Sequence, residues 1–208
     1  MRKRIFVLGD SISMQYGPYL REMLAECWDY DRKRDPSQTV ADLDQPVGGN
    51  GGDSDRVLEY LNDHCEHLAA FDLLLVNCGL HDIKTDEATG MRQVDVSRYE
   101  ENLVRILDTL AAIGLPAAWV RTTPVDDGMH NRVKGFHRFN RDVLAYNAIA
   151  DRVMAGRAVP ELDLYGFSLR LGEGIHQDGV HFTEPVRRLQ AAFLAGALTG
   201  PGRWSDGT

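Results

Sequence analysis

Short runs of apolar residues alternate with helical stripes along this chain. Ile5-Phe6-Val7-Leu8 is an unbroken apolar run and predicts a short strand buried on both faces. Gly9-Asp10-Ser11 breaks it at a turn, and an amphipathic helix is expected to follow. From Pro18 to Trp28, residues Tyr19, Leu20, Met23, Leu24 and Cys27 share one helical face, with Pro18 suited to the first turn. The charged stretch Asp29 to Ser37 predicts a solvated loop, and Thr39 to Leu43 a short strand. Gly48-Gly49-Asn50-Gly51-Gly52 then leads into a helix through about Ala70, capped by Asp53 or Ser54, with Val57, Leu58, Leu61, Cys65 and Leu68 inward.

Phe71 to Cys78 is the clearest central strand. A helix is predicted from Val94 to Ile113 and stopped by Gly114, and a strand from Pro116 to Arg121. The polar loop Val125 to Gly135 is long enough to suggest a functional rim. Arg138 to Gly156 reads as helix, Val159 to Leu162 as a last strand, and Glu184 to Leu198 as a final helix behind the loop Gln177 to Phe182. Alternating strands and helices predict an α/β fold with a parallel sheet of four or five strands covered on both faces. No linker interrupts the pattern, so residues 1–199 read as a single domain and 200–208 as a flexible tail.

Charge narrows the partners. A net charge of -8 over 208 residues disfavours phosphate-backbone contacts, so no nucleic acid is expected. No stretch approaches the roughly 18 apolar residues of a membrane span. The apolar run behind Met1-Arg2-Lys3-Arg4 is too short for a signal core, and a soluble, cytoplasmic protein is expected. Cys27, Cys65 and Cys78 are odd in number, lack a CxxC spacing and read as buried thiols.

The candidate chemistry sits at the two ends of the chain. Ser11 lies at the carboxyl end of a buried strand, where open α/β sheets place their sites, and beside a helix N-terminus that favours negative charge. Asp178 and His181, three residues apart before a helix, can share one side of a turn, with the carboxylate orienting one ring nitrogen and the other facing a serine. Such a unit needs oxyanion donors. Main-chain N–H groups at Ser11 and Gly52, with a side chain after the central strand, would supply them. His176 near Asp178 has too few companions for a metal site, and the glycine run lacks the Gly-Lys-Ser/Thr ending of a phosphate loop. His64 and His67 read as solvated, while His130 and His137 flank the long loop.

Gly9-Asp10-Ser11-Ile12, Gly52-Asp53-Ser54, Gly79-Leu80-His81-Asp82 and Asp178-Gly179-Val180-His181 resemble, in order, the four motif blocks of the SGNH (GDSL-type) hydrolases. The resemblance spans residues 5 to about 198. It implies a three-layer α/β/α, flavodoxin-like fold and ester hydrolysis through an acyl-serine, with Ser11 as nucleophile, His181 as base then acid, and Asp178 orienting it. It further implies an oxyanion hole of Ser11, Gly52 (Gly49 is the alternative glycine) and residue 81. The family has Asn where this chain has His81, whose imidazole N–H would have to replace the amide donor. Asp10 and His130 are lesser candidates for substrate contact, although Asp10 and Asp82 also suit holding loop N–H groups. No cofactor and no metal are implied. The expected partner is a small, hydrophilic ester such as an O-acetylated carbohydrate. A non-hydrolytic binding protein and an acyltransferase or short-chain acyl thioesterase are the alternatives, and the sequence leaves the oligomeric state open.

Overall fold

The computed structural model describes residues 2–34 and 44–200. The strand expected at Thr39 to Leu43, and the tail after Gly200, lie outside the described residues. In chain order the elements are β1 (Lys3–Leu8), α1 (Ser11–Leu24), β2 (Trp28–Arg32), α2 (Ser54–Asp63), α3 (Cys65–Leu68) and β3 (Leu73–Val76). They continue with α4 (Val96–Ala112), β4 (Ala117–Val120), α5 (Asp127–His130), α6 (Asn140–Gly156), β5 (Glu161–Leu162), α7 (Leu164–Leu169) and α8 (Glu184–Thr199).

All strand pairs are parallel, in the order β2-β1-β3-β4-β5. The inner strands carry the continuous apolar runs: Ile5 to Leu8, Leu73 to Val76 and Ala117 to Val120 are all buried. Such strands need cover on both faces. Helix α1 packs on α8 on one side, and α2 on α4 and α4 on α6 on the other, giving the three-layer α/β/α arrangement. Among the described residues no helix is long and apolar enough to cross a membrane.

Two expectations near the N-terminus are corrected. The helix begins at Ser11, and Pro18 lies inside it rather than in its first turn. Cys27 falls beyond the helix and is exposed, Met23 is 44% exposed, and of the three free thiols only Cys78 is buried. Secondly, the charged segment expected to be a loop contains β2, paired with β1 from Lys3↔Trp28 to Val7↔Arg32. It reads as loop because an edge strand buries little: only Trp28 is fully covered, and Asp29, Asp31 and Arg32 sit on the rim. The helix expected up to Ala70 also breaks, at His64, into α2 and α3.

Topology fixes where a site can form. Strand β1 leads through α1 to β2 on one side, while β3 lies on its other side. The crevice at the carboxyl ends of β1 and β3 is therefore the switch point of this doubly wound sheet, where such folds bind ligands. Ser11 follows β1 there and His81 follows β3.

Candidate active site

Ser11 is the first residue of α1, so its N–H lies outside the helix's own hydrogen-bond ladder. Asp10 is the N-cap: its Oδ1 accepts from the Ile12 N–H at 3.0 Å, and its carbonyl accepts from Ser13 Oγ at 2.7 Å. Asp10 is 1% exposed, and burial raises its pKa above the usual carboxylate value. It is the cap under the nucleophile's turn.

The loop before α8 brings its two residues to this turn. The Asp178 carboxylate accepts the Val180 and His181 main-chain N–H groups at 3.1 and 2.8 Å, an Asx turn that folds the loop onto itself. The same carboxylate takes His181 Nδ1 at 2.7 Å. The opposite ring nitrogen, Nε2, lies 2.9 Å from Ser11 Oγ, across 170 residues of chain. A carboxylate only accepts, so the proton sits on Nδ1 and Nε2 is free to accept from the Ser11 hydroxyl. Partial burial works against the Asp178 charge, but the hydrogen bonds from the His181 ring and N–H hold its pKa well below the usual range.

Gly179 makes this loop fit. Its φ is +90°, and a Cβ there would come within 2.5 Å of the His130 nitrogen and 2.7 Å of the Asp126 carbonyl. Only glycine lets the loop close on the start of α5. The contact is sealed by the Asp126 N–H donating to the Gly179 carbonyl at 2.7 Å and by His176 Nε2 against the Pro124 carbonyl at 3.0 Å. From α1, Gln15 Oε1 accepts the Phe182 N–H at 3.2 Å.

The third part is the glycine loop and the turn after β3. Gly51 N–H donates to the Gly9 carbonyl at 2.8 Å, which seats the loop against the nucleophile's turn. The Gly52 N–H, expected as an oxyanion donor, donates to Asn50 Oδ1 at 2.9 Å. Asn50 is 1% exposed, and its Nδ2 lies 3.4 Å from His81 Nε2. His81 is equally buried, and its Nδ1 has no hydrogen-bond partner among the described residues. Burial first, then Arg138 and Lys84, lower its pKa well below the ordinary value, which makes it a neutral imidazole at pH 7. Gly79, at φ +148° with Thr122 Oγ1 2.3 Å from where a Cβ would be, gives the turn its close approach to β4.

Three supports escaped the sequence reading. Arg32 donates to the Ser13 carbonyl and to the Gly49 carbonyl, at 2.9 and 2.8 Å, tying α1 to the glycine loop. Lys33 Nζ does the same for that loop through the Gly48 and Asn50 carbonyls, at 2.7 and 2.8 Å. Arg138, read as the start of a helix, is 1% exposed. Its Nε donates to the Leu80 carbonyl at 2.7 Å and its Nη1 to Asp44 Oδ1 at 3.0 Å, so it braces the turn that carries His81. Asp82 accepts the Ser54 N–H at 2.9 Å and joins that turn to α2, while burial pushes its pKa up to about 7.

His130 is also corrected. It is wholly buried, packs edge-on against Phe136, and has neither ring nitrogen hydrogen-bonded among the described residues. Burial, then Arg138, lowers its pKa to about 4. It lies under the Gly179 loop and does not line an open rim.

No family model matches the sequence, and no curated relative does. Solved structures do. A lipase/acylhydrolase from Enterococcus faecalis is similar with a TM-score of 0.68 at 18% identity, over 100% of both chains. The acetyl xylan esterase AlAXEase is similar at 0.70 and 14% identity, over 94% of this chain and 99% of that one. A GDSL-like lipase from Bacteroides thetaiotaomicron gives 0.67 and 14%, over 94% and 87%. The chain thus has the three-layer α/β/α fold that SGNH (GDSL-type) hydrolases share.

Proposed function

We propose that the protein is an SGNH-type serine esterase that cleaves a small, hydrophilic ester through an acyl-serine. The observation that carries this is the continuous chain from Ser11 Oγ through His181 to Asp178, with contacts of 2.9 and 2.7 Å. A serine, a histidine and a carboxylate so arranged match the requirements of nucleophilic acyl transfer. The shared fold and the four sequence motifs support the same reading.

Ser11 Oγ attacks the ester carbonyl while His181 Nε2 takes its proton. The imidazolium that forms is stabilised by the ionised Asp178, whose pKa is held low by the same hydrogen bonds. The tetrahedral intermediate collapses as the C–O bond to the alcohol breaks, and His181 gives its proton to the departing oxygen. Water then attacks the acyl-Ser11 with His181 again as base, the acyl–Oγ bond breaks, His181 returns the proton to Ser11 Oγ, and the acid is released. The developing oxyanion meets the Ser11 N–H at the positive end of α1 and a donor from His81, with Gly52 contributing only by sharing an N–H already bonded to Asn50.

For the substrate, we favour an O-acetylated carbohydrate. The fold is shared with an acetyl xylan esterase, and the loop after β4 exposes Asp126 and Arg132 beside a single large apolar side chain, Val133. The experiment is hydrolysis of p-nitrophenyl acetate, p-nitrophenyl butyrate and acetylated xylan by the wild type and Ser11→Ala. Acetate preference in the wild type, with loss in the variant, is expected. Activity that survives in Ser11→Ala would refute the mechanism, and a preference for longer chains would refute the substrate class.

A further inference from the structure

The glycine loop and the turn after β3 meet at one contact, Asn50 Nδ2 to His81 Nε2, and its chemistry is over-determined. Asn50 Oδ1 accepts the Gly52 N–H at 2.9 Å. Turning the amide over would set its NH2 against that N–H, donor against donor, so the amide has one orientation. Its NH2 therefore faces His81 Nε2, at 3.4 Å. An NH2 group only donates, so Nε2 has to be the bare, accepting nitrogen of a neutral ring. The proton then sits on Nδ1, and this N–H is buried with no acceptor among the described residues.

A buried donor without an acceptor loses its hydration and gains no bond in return. A catalytic role is one of the reasons for which a native protein keeps such a group. His81 follows β3 at the switch-point crevice, one residue beyond the Leu80 carbonyl that Arg138 holds. A substrate oxygen that gains negative charge is the acceptor such a donor suits.

We propose that Asn50 is a positioning residue that locks His81 as the Nδ1–H tautomer, so that a neutral imidazole supplies the oxyanion N–H. This rests on the esterase reading and deepens it. The amide that this fold's motif would place at position 81 is held instead at position 50, one layer back, where it dictates which ring nitrogen carries the proton. Neutrality follows from the low pKa of His81, a result of burial and of the Arg138 charge.

Asn50→Asp tests this with little change of shape. Its carboxylate keeps an acceptor for the Gly52 N–H but turns the atom facing Nε2 from donor into acceptor. Long-range 1H–15N spectra of the imidazoles, with the His81 signals identified by their loss in His81→Gln, read the protonated nitrogen in the free protein. The wild type should show Nδ1 protonated and Nε2 bare. Asn50→Asp should gain a proton at Nε2, and its kcat should fall about 10²-fold with KM little changed. Asn50→Ala should show a mixture of tautomers and an intermediate kcat. A wild-type proton on Nε2, or an Asn50→Asp ring with Nε2 still bare, overturns the proposal, as does the expected tautomer change with kcat unaltered.

The esterase reading has a separate readout. Reaction of Ser11 with a fluorophosphonate is followed by mass spectrometry on the same samples. If Ser11 reacts and the tautomers disagree with the proposal, only the role of Asn50 and His81 falls. If Ser11 is inert in the wild type, the esterase reading falls and the oxyanion role falls with it.

Discussion

The two sides of the Ser11 turn are built differently. On the Asp178–His181 side the contacts among the catalytic groups are closed: carboxylate to two N–H groups, carboxylate to ring, ring to hydroxyl. On the Asn50–His81 side the contacts are longer and the set is open, with a 3.4 Å amide-to-ring contact and His81 Nδ1 unpartnered among the described residues. A nucleophile and its base have partners before substrate arrives. Oxyanion donors acquire theirs only as the transition state forms, so a free protein must hold them unsatisfied and brace them from behind. Arg32, Lys33 and Arg138 provide that bracing here.

The closed side should show the largest effects. Ser11→Ala and His181→Ala should each lower kcat by about 10⁴-fold or more, and Asp178→Asn by about 10⁴-fold, because the amide would favour the wrong His181 tautomer. Steady-state hydrolysis of p-nitrophenyl acetate measures all three. The open side follows. His81→Ala should cost about 10²–10³-fold in kcat, and a kcat near wild type would remove His81 from the oxyanion hole.

An effect of similar size is expected on stability behind the open side. Asp82 has its pKa raised from 3.8 to about 7 by burial, so between those values the folded protein binds a proton that the unfolded chain releases. That contribution is fully present below pH 4 and declines as pH rises towards 7. Buried His130, with its pKa lowered to about 4, has the opposite slope between pH 4 and 6.5, so the wild-type profile alone mixes the two. The difference between Asp82→Asn and wild type isolates Asp82. It should grow in favour of the variant from pH 4 to 7, by on the order of 2–4 kcal/mol, and level off above. Urea unfolding at a series of pH values reads it, and a flat difference would contradict the buried charge. The smallest effect is expected for His130→Phe. Its backbone lies under the Gly179 loop, and its ring has no hydrogen bond to lose among the described residues, so kcat/KM should stay close to wild type.

The same division marks what the sequence revealed. The chemistry of β1, Ser11 and the Asp178–His181 loop was legible because each is a local pattern: an apolar run, a turn, a carboxylate three residues from a ring. The order of elements and the parallel sheet followed from alternation. What escaped depends on distant partners. β2 is an edge strand whose charged residues look like loop, and Arg138 looks like an ordinary helix start until Asp44 and the Leu80 carbonyl surround it. Asn50 seemed one residue in a glycine run. Its role exists only because His81 lies 31 positions away in sequence and 3.4 Å away in space. Likewise the Gly52 N–H was expected to be open, and the Asx turn made by Asn50 engages it.

The most direct test of the account is covalent capture at the nucleophile. Wild-type protein is treated with a fluorophosphonate, and the adduct is mapped by peptide mass spectrometry, beside Ser11→Ala and His181→Ala. The account predicts one adduct per chain, on Ser11, absent from Ser11→Ala and formed far more slowly in His181→Ala. An unmodified Ser11 in the wild type, or labelling at the same rate without His181, would contradict it.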